Sequence, residues 1–277
     1  MRLAAIGDNC IDVYTNKGMA YPGGGPVNFA VQARRLGAET AYIGVVGGDE
    51  HGRWLADALA AEGVETTHLT VVEGDTAVAY VRLEGAERTF IGSQPGVRGQ
   101  LAVTPETERY LSGFDLIHTT LDGRVDEHIP AWHQAGKRIS YDFSHRARPE
   151  QLALLPHIEC AFFSGQKVRA EDGPALLKEH HGRGATLAVM TFGEEGSLAY
   201  DGHRLYYQPA LPASVVDTLG AGDSFQAGFV VAYLQTESIQ AALAAGAATA
   251  VRAISNYGGF GQGRPTPTDL VARTPQK

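Results

Sequence analysis

The sequence predicts an α/β protein in which a mostly parallel sheet is covered by helices. Three observations carry this. Short apolar runs alternate with stretches of helical periodicity, which is how strands and crossover helices follow one another. The 277 residues, 44% hydrophobic, suffice for a sizeable core in one large domain or two small ones. No charge block or polar repeat argues for disorder.

Taken in order, Leu3 to Ile6 reads as a first strand. Pro26 to Leu36 reads as a helix, with proline at its start and Gly37 beyond its end. Thr40 to Val46 is a second strand, and Gly52 to Glu62 a second helix with Leu55 and Leu59 on one face and Gly63 as its stop. Further strands are expected at 115–119, 138–143, 159–163 and 187–191. Residues 75–92 break this rhythm: Thr76 to Leu83 alternates, Gly85 turns the chain, and Arg88 to Ile91 returns. That pattern is a hairpin, either an ordinary edge hairpin or a small sheet across the mouth of the main domain. Near the end, Phe225, Phe229 and Tyr233 make one apolar helical stripe that reads as core. Ile239 to Ile254 forms a second helix rich in alanine. The Gly- and Pro-rich tail after Gly258 reads as a loose end.

Composition narrows function. The net charge is −8, from 31 acids against 23 bases, without the positive footprint that nucleic-acid binding requires. The longest apolar run, Phe229 to Leu234, falls far short of the ~18 residues of a membrane span. Two cysteines, Cys10 and Cys160, build neither a disulfide framework nor a zinc site, and a cytoplasmic protein is expected. The ten histidines are scattered, and there is no P-loop or G-x-G-x-x-G.

The chemistry concentrates in Asp217-Thr218-Leu219-Gly220-Ala221-Gly222-Asp223-Ser224-Phe225. Gly220, Ala221 and Gly222 stand at the start of the aromatic helix, so their N–H groups are free to bind a phosphate or a developing oxyanion. Asp223 beside them can accept a proton from an attacking hydroxyl, the pairing that phosphoryl transfer needs. The competing reading is a helix cap. Asp12 and Asn28 offer acceptors and a donor to adjacent hydroxyls, and the glycines at 23–25 admit a ring close to the backbone. Asp8 and Asn9 are either further sugar contacts or loop caps.

The nine-residue run resembles the C-terminal signature of the ribokinase-like, or phosphofructokinase-B, sugar kinases. Other landmarks follow in family order: Gly7-Asp8-Asn9-Cys10-Ile11-Asp12, Pro22-Gly23-Gly24-Gly25-Pro26-Val27-Asn28, the stretch from Gly44 to Gly52, and Thr191-Phe192-Gly193-Glu194-Glu195-Gly196-Ser197. The resemblance spans residues 2 to about 260. It implies a single three-layer α/β/α Rossmann-like domain over 1–277 with a small β-sheet lid, contributed mainly by about 12–22 and 75–95. It implies an ATP-dependent sugar kinase using Mg²⁺, with catalytic Asp223 and an anion hole of Gly220, Ala221 and Gly222. Sugar contacts then fall to Asp12, Gly24, Gly25, Asn28 and Asn9; if the substrate carries a lysine arm, Arg88 on the lid, or Arg98, is the candidate to meet its carboxylate. Thr191, Gly193, Gly196, Gly222 and Gly246 would border the nucleotide. Two departures stand out. Ser164-Gly165-Gln166-Lys167 occupies the place of the family's Asn-x-x-Glu, which leaves Asp217, or Glu171 nearby, to organise the metal through water, or Lys167 to supply positive charge to phosphate instead. Gly246 replaces the family's adenine-side Asn.

Within the family, the run from Gly7 to Tyr14 looks most like the fructoselysine 6-kinases, which phosphorylate a fructose carrying the lysine ε-amine at carbon 1. Alternatives are a kinase of fructose, ribose, 2-keto-3-deoxygluconate or adenosine, or a non-catalytic sensor of a sugar or nucleotide. A homodimer paired through the lids is expected.

Overall fold

The computed structural model describes residues 1–85 and 87–275. The chain opens with β1 (Arg2–Ile6), β2 (Cys10–Tyr14), β3 (Met19–Gly23), α1 (Gly25–Arg35), β4 (Glu39–Gly47), α2 (Glu50–Ala61) and β5 (Leu69–Val72). The hairpin β6 (Val78–Glu84) and β7 (Glu87–Gln94) follows, then α3 (Pro105–Leu111), β8 (Leu116–Thr120), α4 (Ile129–Gln134), β9 (Arg138–Ser144) and α5 (Pro149–Leu152). The second half holds β10 (Cys160–Ser164), α6 (Gly173–Gly182), β11 (Leu187–Thr191), β12 (Ser197–Tyr200), β13 (Leu205–Gln208), α7 (Ala221–Thr236) and α8 (Ile239–Ile254). It closes with β14 (Arg264–Pro265) and α9 (Thr268–Ala272).

Nine strands form the main sheet in the order β13-β12-β11-β10-β9-β8-β1-β4-β5. Pairing is parallel from β11 across to β5 and antiparallel only for β12 and β13. The strands expected from apolar runs lie within about two residues of those observed; β12 and β13, short and half-exposed, carried no comparable signal.

Both faces of this sheet are covered, so neighbouring strand residues enter opposite cores. Leu3 and Ala5 pack toward α1, α2, α7 and α8 with Phe29, Leu55, Phe162, Phe229 and Leu243. Ala4 and Ile6 pack toward α3, α4 and α6 with Leu111, Trp132, Phe143 and Leu177. The aromatic stripe on α7 is core, as expected: Phe225 and Phe229 are buried, and Phe229 meets Phe162 edge to face at 5.4 Å. This is a three-layer α/β/α, ribokinase-like architecture.

The hairpin belongs to a second sheet, ordered β14-β3-β2-β6-β7. Gly85 turns it with φ +62°, and the pairing slips by one residue at Tyr80 and Val81. Tyr14, Tyr21, Val81 and Leu83 form this sheet's own small core.

The tail differs from expectation. β14 adds a strand to β3, Leu270 on α9 is fully buried in the main core, and Asp269 bonds His51 on α2 at 2.8 Å. Among the described residues no helix is long and apolar enough to cross a membrane.

Candidate active site

In open α/β sheets ligands bind beyond the carboxyl ends of the strands. Here those ends and the second sheet enclose a cleft of about 830 Å³. β1, β8, β9, β10 and β11 lead into its floor, while β6 and β7 supply Ala79, Val81, Arg88 and Phe90 as its opposite wall.

At one end of the floor α7 begins. Gly220, its N-cap, has φ +73°, and a Cβ there would sit 2.8 Å from Gly259 Cα. Only glycine fits this turn. A Cβ on Gly222, by contrast, would meet nothing within 4 Å. Of the three amides expected to be free, that of Ala221 donates to the Thr218 carbonyl at 3.3 Å, so it is at Gly222 that the first turn of α7 opens to a phosphate. Asp223 follows in that same turn. Asn28 Nδ2 on α1 donates to its Oδ2 at 2.7 Å, and burial raises its pKa to about 7. Nearby Asp142 and Asp8 push the same way, while the Asn28 bond and Arg88 oppose them.

Asp12, 6% exposed, projects from β2. Its Oδ1 accepts a weak bond from the Cys10 thiol at 3.6 Å, and a Cβ on Gly23 would collide with its Oδ2. Burial lifts its pKa to about 6, with Arg88 pulling it down. Asp8 is likewise lifted to about 6, first by burial and then by Asp122, while Thr120 Oγ1 donates to it at 3.0 Å.

The cleft therefore gathers Asp12, Gly24, Gly25, Asn28, Arg88, Thr191, Gly193, Gly220, Ala221, Gly222 and Asp223 from distant parts of the chain. Four anticipated positions lie outside its lining. Asn9 turns into the core, where its Nδ2 donates to Tyr42 Oη at 2.9 Å and the Val45 carbonyl at 2.8 Å. Gly246 sits under Phe225, whose ring is 2.9 Å from where a Cβ would be. Gly196, at φ +94°, packs against the Gln208 carbonyl. Asp217 is wholly buried. It accepts from Leu219 N at 3.0 Å, Gly258 N at 2.9 Å and the Tyr14 hydroxyl, tying β2 to the loop before α7.

The cleft also includes residues with no motif to announce them. Asp122 follows β8, and Ser144, His145 and Arg146 follow Asp142 at the end of β9. Asp142 Oδ1 accepts from Ser144 N at 2.7 Å, holding Ser144 at φ +53°. Arg146 pairs with Asp122. Gln226 stands three residues after Asp223 on α7 and bonds Asp142. The available signal was positional: polar residues at the ends of parallel strands, and one helical turn beyond a base.

Comparison with known proteins gives the family. The pfkB family carbohydrate kinase model matches residues 8–266. The chain is 38% identical over 270 residues to Fructosamine kinase FrlD of Bacillus subtilis (strain 168), covering 96% of this chain and 95% of that protein. It is 36% identical over 261 residues to Fructoselysine 6-kinase of Escherichia coli (strain K12), covering 93% and 99%. Among solved structures, Arabidopsis thaliana ribokinase complexed with ribose and ATP superposes with TM-score 0.83 at 21% identity, covering 99% of this chain and 98% of that one. A putative ribokinase II from E. coli in complex with ATP and Mg²⁺ gives 0.82 at 20% identity, covering 99% and 98%. The chain belongs to the pfkB family of carbohydrate kinases and is an ATP-dependent sugar kinase.

Proposed function

We propose that the protein transfers the γ-phosphoryl group of ATP to the 6-hydroxyl of a fructosamine, fructoselysine foremost. The observation that carries the transfer is Asp223, held by Asn28 at 2.7 Å, beside the open first turn of α7 at Gly222 in one cleft. The choice of sugar is supported by likeness to relatives named for fructosamine and fructoselysine, at 38% and 36% identity.

In this reading Asp12, Gly24, Gly25 and Asn28 hold the sugar hydroxyls, and Arg88 faces them from the lid. The 6-hydroxyl oxygen attacks the γ-phosphorus. A new O–P bond forms, the bond to the β–γ bridging oxygen breaks, and ADP leaves while Asp223 takes the hydroxyl proton. A carboxylate whose pKa is raised to about 7 is well matched to accepting that proton near neutrality. The Gly220, Ala221 and Gly222 amides absorb charge on the phosphoryl oxygens. Thr191 and Gly193 border the nucleotide. When bound, Mg²⁺ neutralises charge on the nucleotide phosphates. Among the described residues no three His, Cys, Asp or Glu side chains meet at one point, which suits a metal carried in by the nucleotide with most of its waters. The small sheet acts as a lid that excludes water, the competing acceptor. Its outer strand β7 is the edge on which a second copy would pair.

Two measurements test this. Coupled-assay turnover with MgATP is compared across fructoselysine, fructose, ribose, 2-keto-3-deoxygluconate and adenosine. A kcat/KM for fructoselysine ~100-fold above the others, roughly 2.7 kcal/mol of transition-state binding, is expected. Preference for another member of the panel overturns the substrate. Asp223→Asn is expected to fold and to lose about 10²- to 10⁴-fold in kcat; near-normal kcat removes Asp223 as the base.

A further inference from the structure

The cleft carries more negative charge than a neutral sugar or a nucleotide calls for. Asp8, Asp12, Asp122, Asp142 and Asp223 line it, together with Glu195, against Arg88 and Arg146. Asp122 pairs with Arg146. Among the described residues, none of Asp8, Asp12, Asp142 and Asp223 forms an ion pair.

The phosphoryl transfer employs Asp12 and Asp223 and leaves Asp8, Asp122 and Asp142 without a task. These three form one electrostatic group, because the charge on Asp122 bears on both of the others. Asp8 has one side-chain donor, Thr120, and Asp142 is bonded by Ser144 N and Gln226. A second observation is independent of the acids. Gln226, 5% exposed and lining the same cleft, leaves its Oε1 with no hydrogen-bond partner. A buried acceptor without a donor costs free energy until something supplies one.

All four side chains have acceptors to offer, so the matching group must donate hydrogen bonds and carry positive charge. Phosphate does neither, and a neutral hydroxyl answers only the first need. A metal ion ligated directly by the protein would want these oxygens converging on one point, and among the described residues no such cluster exists; a hydrated Mg²⁺ goes with the nucleotide phosphates instead. An ammonium on an organic arm fits acceptors spread along a wall. Phe90, 63% exposed on the lid side of the cleft, gives the arm's methylenes an apolar surface.

We propose that Asp8, Asp122 and Asp142, with the Gln226 side-chain oxygen, form a subsite for an alkylammonium carried by the sugar, so that the cleft selects ketoses bearing a cationic amine. This rests on the sugar kinase reading of the same cleft. The subsite is the specificity element that separates a fructosamine from fructose.

The test uses 1-butylamino-1-deoxyfructose, its neutral isostere 1-O-butylfructose, and fructose, with binding measured by calorimetry and turnover measured separately. Wild-type protein is expected to bind the amine about tenfold or more tightly than the ether, and Asp8→Asn to bring the two within about twofold. Asp142→Asn moves the ratio the same way and decides the matter if Asp8→Asn does not fold. Equal affinity of the wild type for amine and ether, with both phosphorylated, leaves the kinase standing and overturns the subsite. Retention of the amine preference in both variants overturns it as well. Phosphorylation of neither compound counts against the proposed transfer, and the binding ratio still decides the subsite.

Discussion

Asp223 must keep a carboxylate in a place that disfavours its charge, and the fold bears the cost. Its pKa is raised from 3.8 to about 7, with burial the largest cause. Below about pH 4 the group is protonated in both folded and unfolded chains and contributes nothing. Between about 4 and 7 the unfolded chain gives up the proton and the folded one keeps it, so folding loses stability as pH rises through that window. Above about 7 the penalty is complete. Asp223→Asn removes it, so the variant should melt above wild type at pH 8, with the gap closing toward pH 4. Because the cleft admits solvent, a discounted penalty of about 1 kcal/mol, or roughly 2–4 °C in Tm, is expected. A gap equal at both pH values would show that ionisation is not its source. Asp223 and Asn28 could be picked out in the sequence because each stands close to a glycine run that needs a reason, and Asp12 because it closes the Gly7–Asp12 motif. Asp8 could be read only as a sugar contact or a cap, and Asp142 and Gln226 carried no local signal: their meaning depends on β1, β9 and α7 meeting at one cleft, which only the sheet order supplies.

At the scale of elements, the start of α7 separates two uses of glycine that look alike in sequence. Gly220 serves the backbone, since its φ of +73° and its nearness to Gly259 leave no room for a Cβ. Gly222 is under no such constraint, since a Cβ there would meet nothing within 4 Å, and in the proposed transfer its amide faces the phosphoryl group. Gly222→Ala should therefore fold at least as well as wild type, with helix propensity offering up to about 1 kcal/mol, while kcat/KM falls about tenfold or more as the methyl invades the phosphoryl position. Gly220→Ala should lose both activity and several degrees of Tm. Thermal melts and turnover on the two variants check this; full activity in Gly222→Ala would remove its amide from the anion hole. The signature motif thus marked a turn that lines the cleft, but not the different backbone demands on the glycines inside it. Asp217 makes the same point. Its place in the motif is plain in sequence, whereas its bonds to Leu219, Gly258 and Tyr14 join three segments that no local pattern connects.

Across the whole molecule, two sheets must face one another for the cleft to exist, and the tail fastens them. β14 extends the small sheet at β3, while α9 drives Leu270 into the core of the large domain. Between them Arg264 lies over Trp54 at 3.9 Å, Asp269 bonds His51, and Arg273 pairs with Asp75 at 2.9 Å. None of this was legible. A two-residue strand and a five-residue helix are too short to show a period, and glycine and proline here serve turns rather than disorder. The alternation of apolar runs that announced the main sheet works because each strand is buried on both faces; among its described residues the tail commits to the core only Phe260 and, ten residues later, one leucine, Leu270. That leucine is the place to probe the coupling. Leu270→Ala should cost about 2–4 kcal/mol, a fall of roughly 5–10 °C in Tm. The small sheet supplies the wall carrying Arg88 and Phe90, while the α7 amides lie on the large domain. Loosening the tail should therefore raise the KM for sugar several-fold more than the KM for ATP. Equal changes in the two constants would mean that the tail stabilises the molecule without setting the lid.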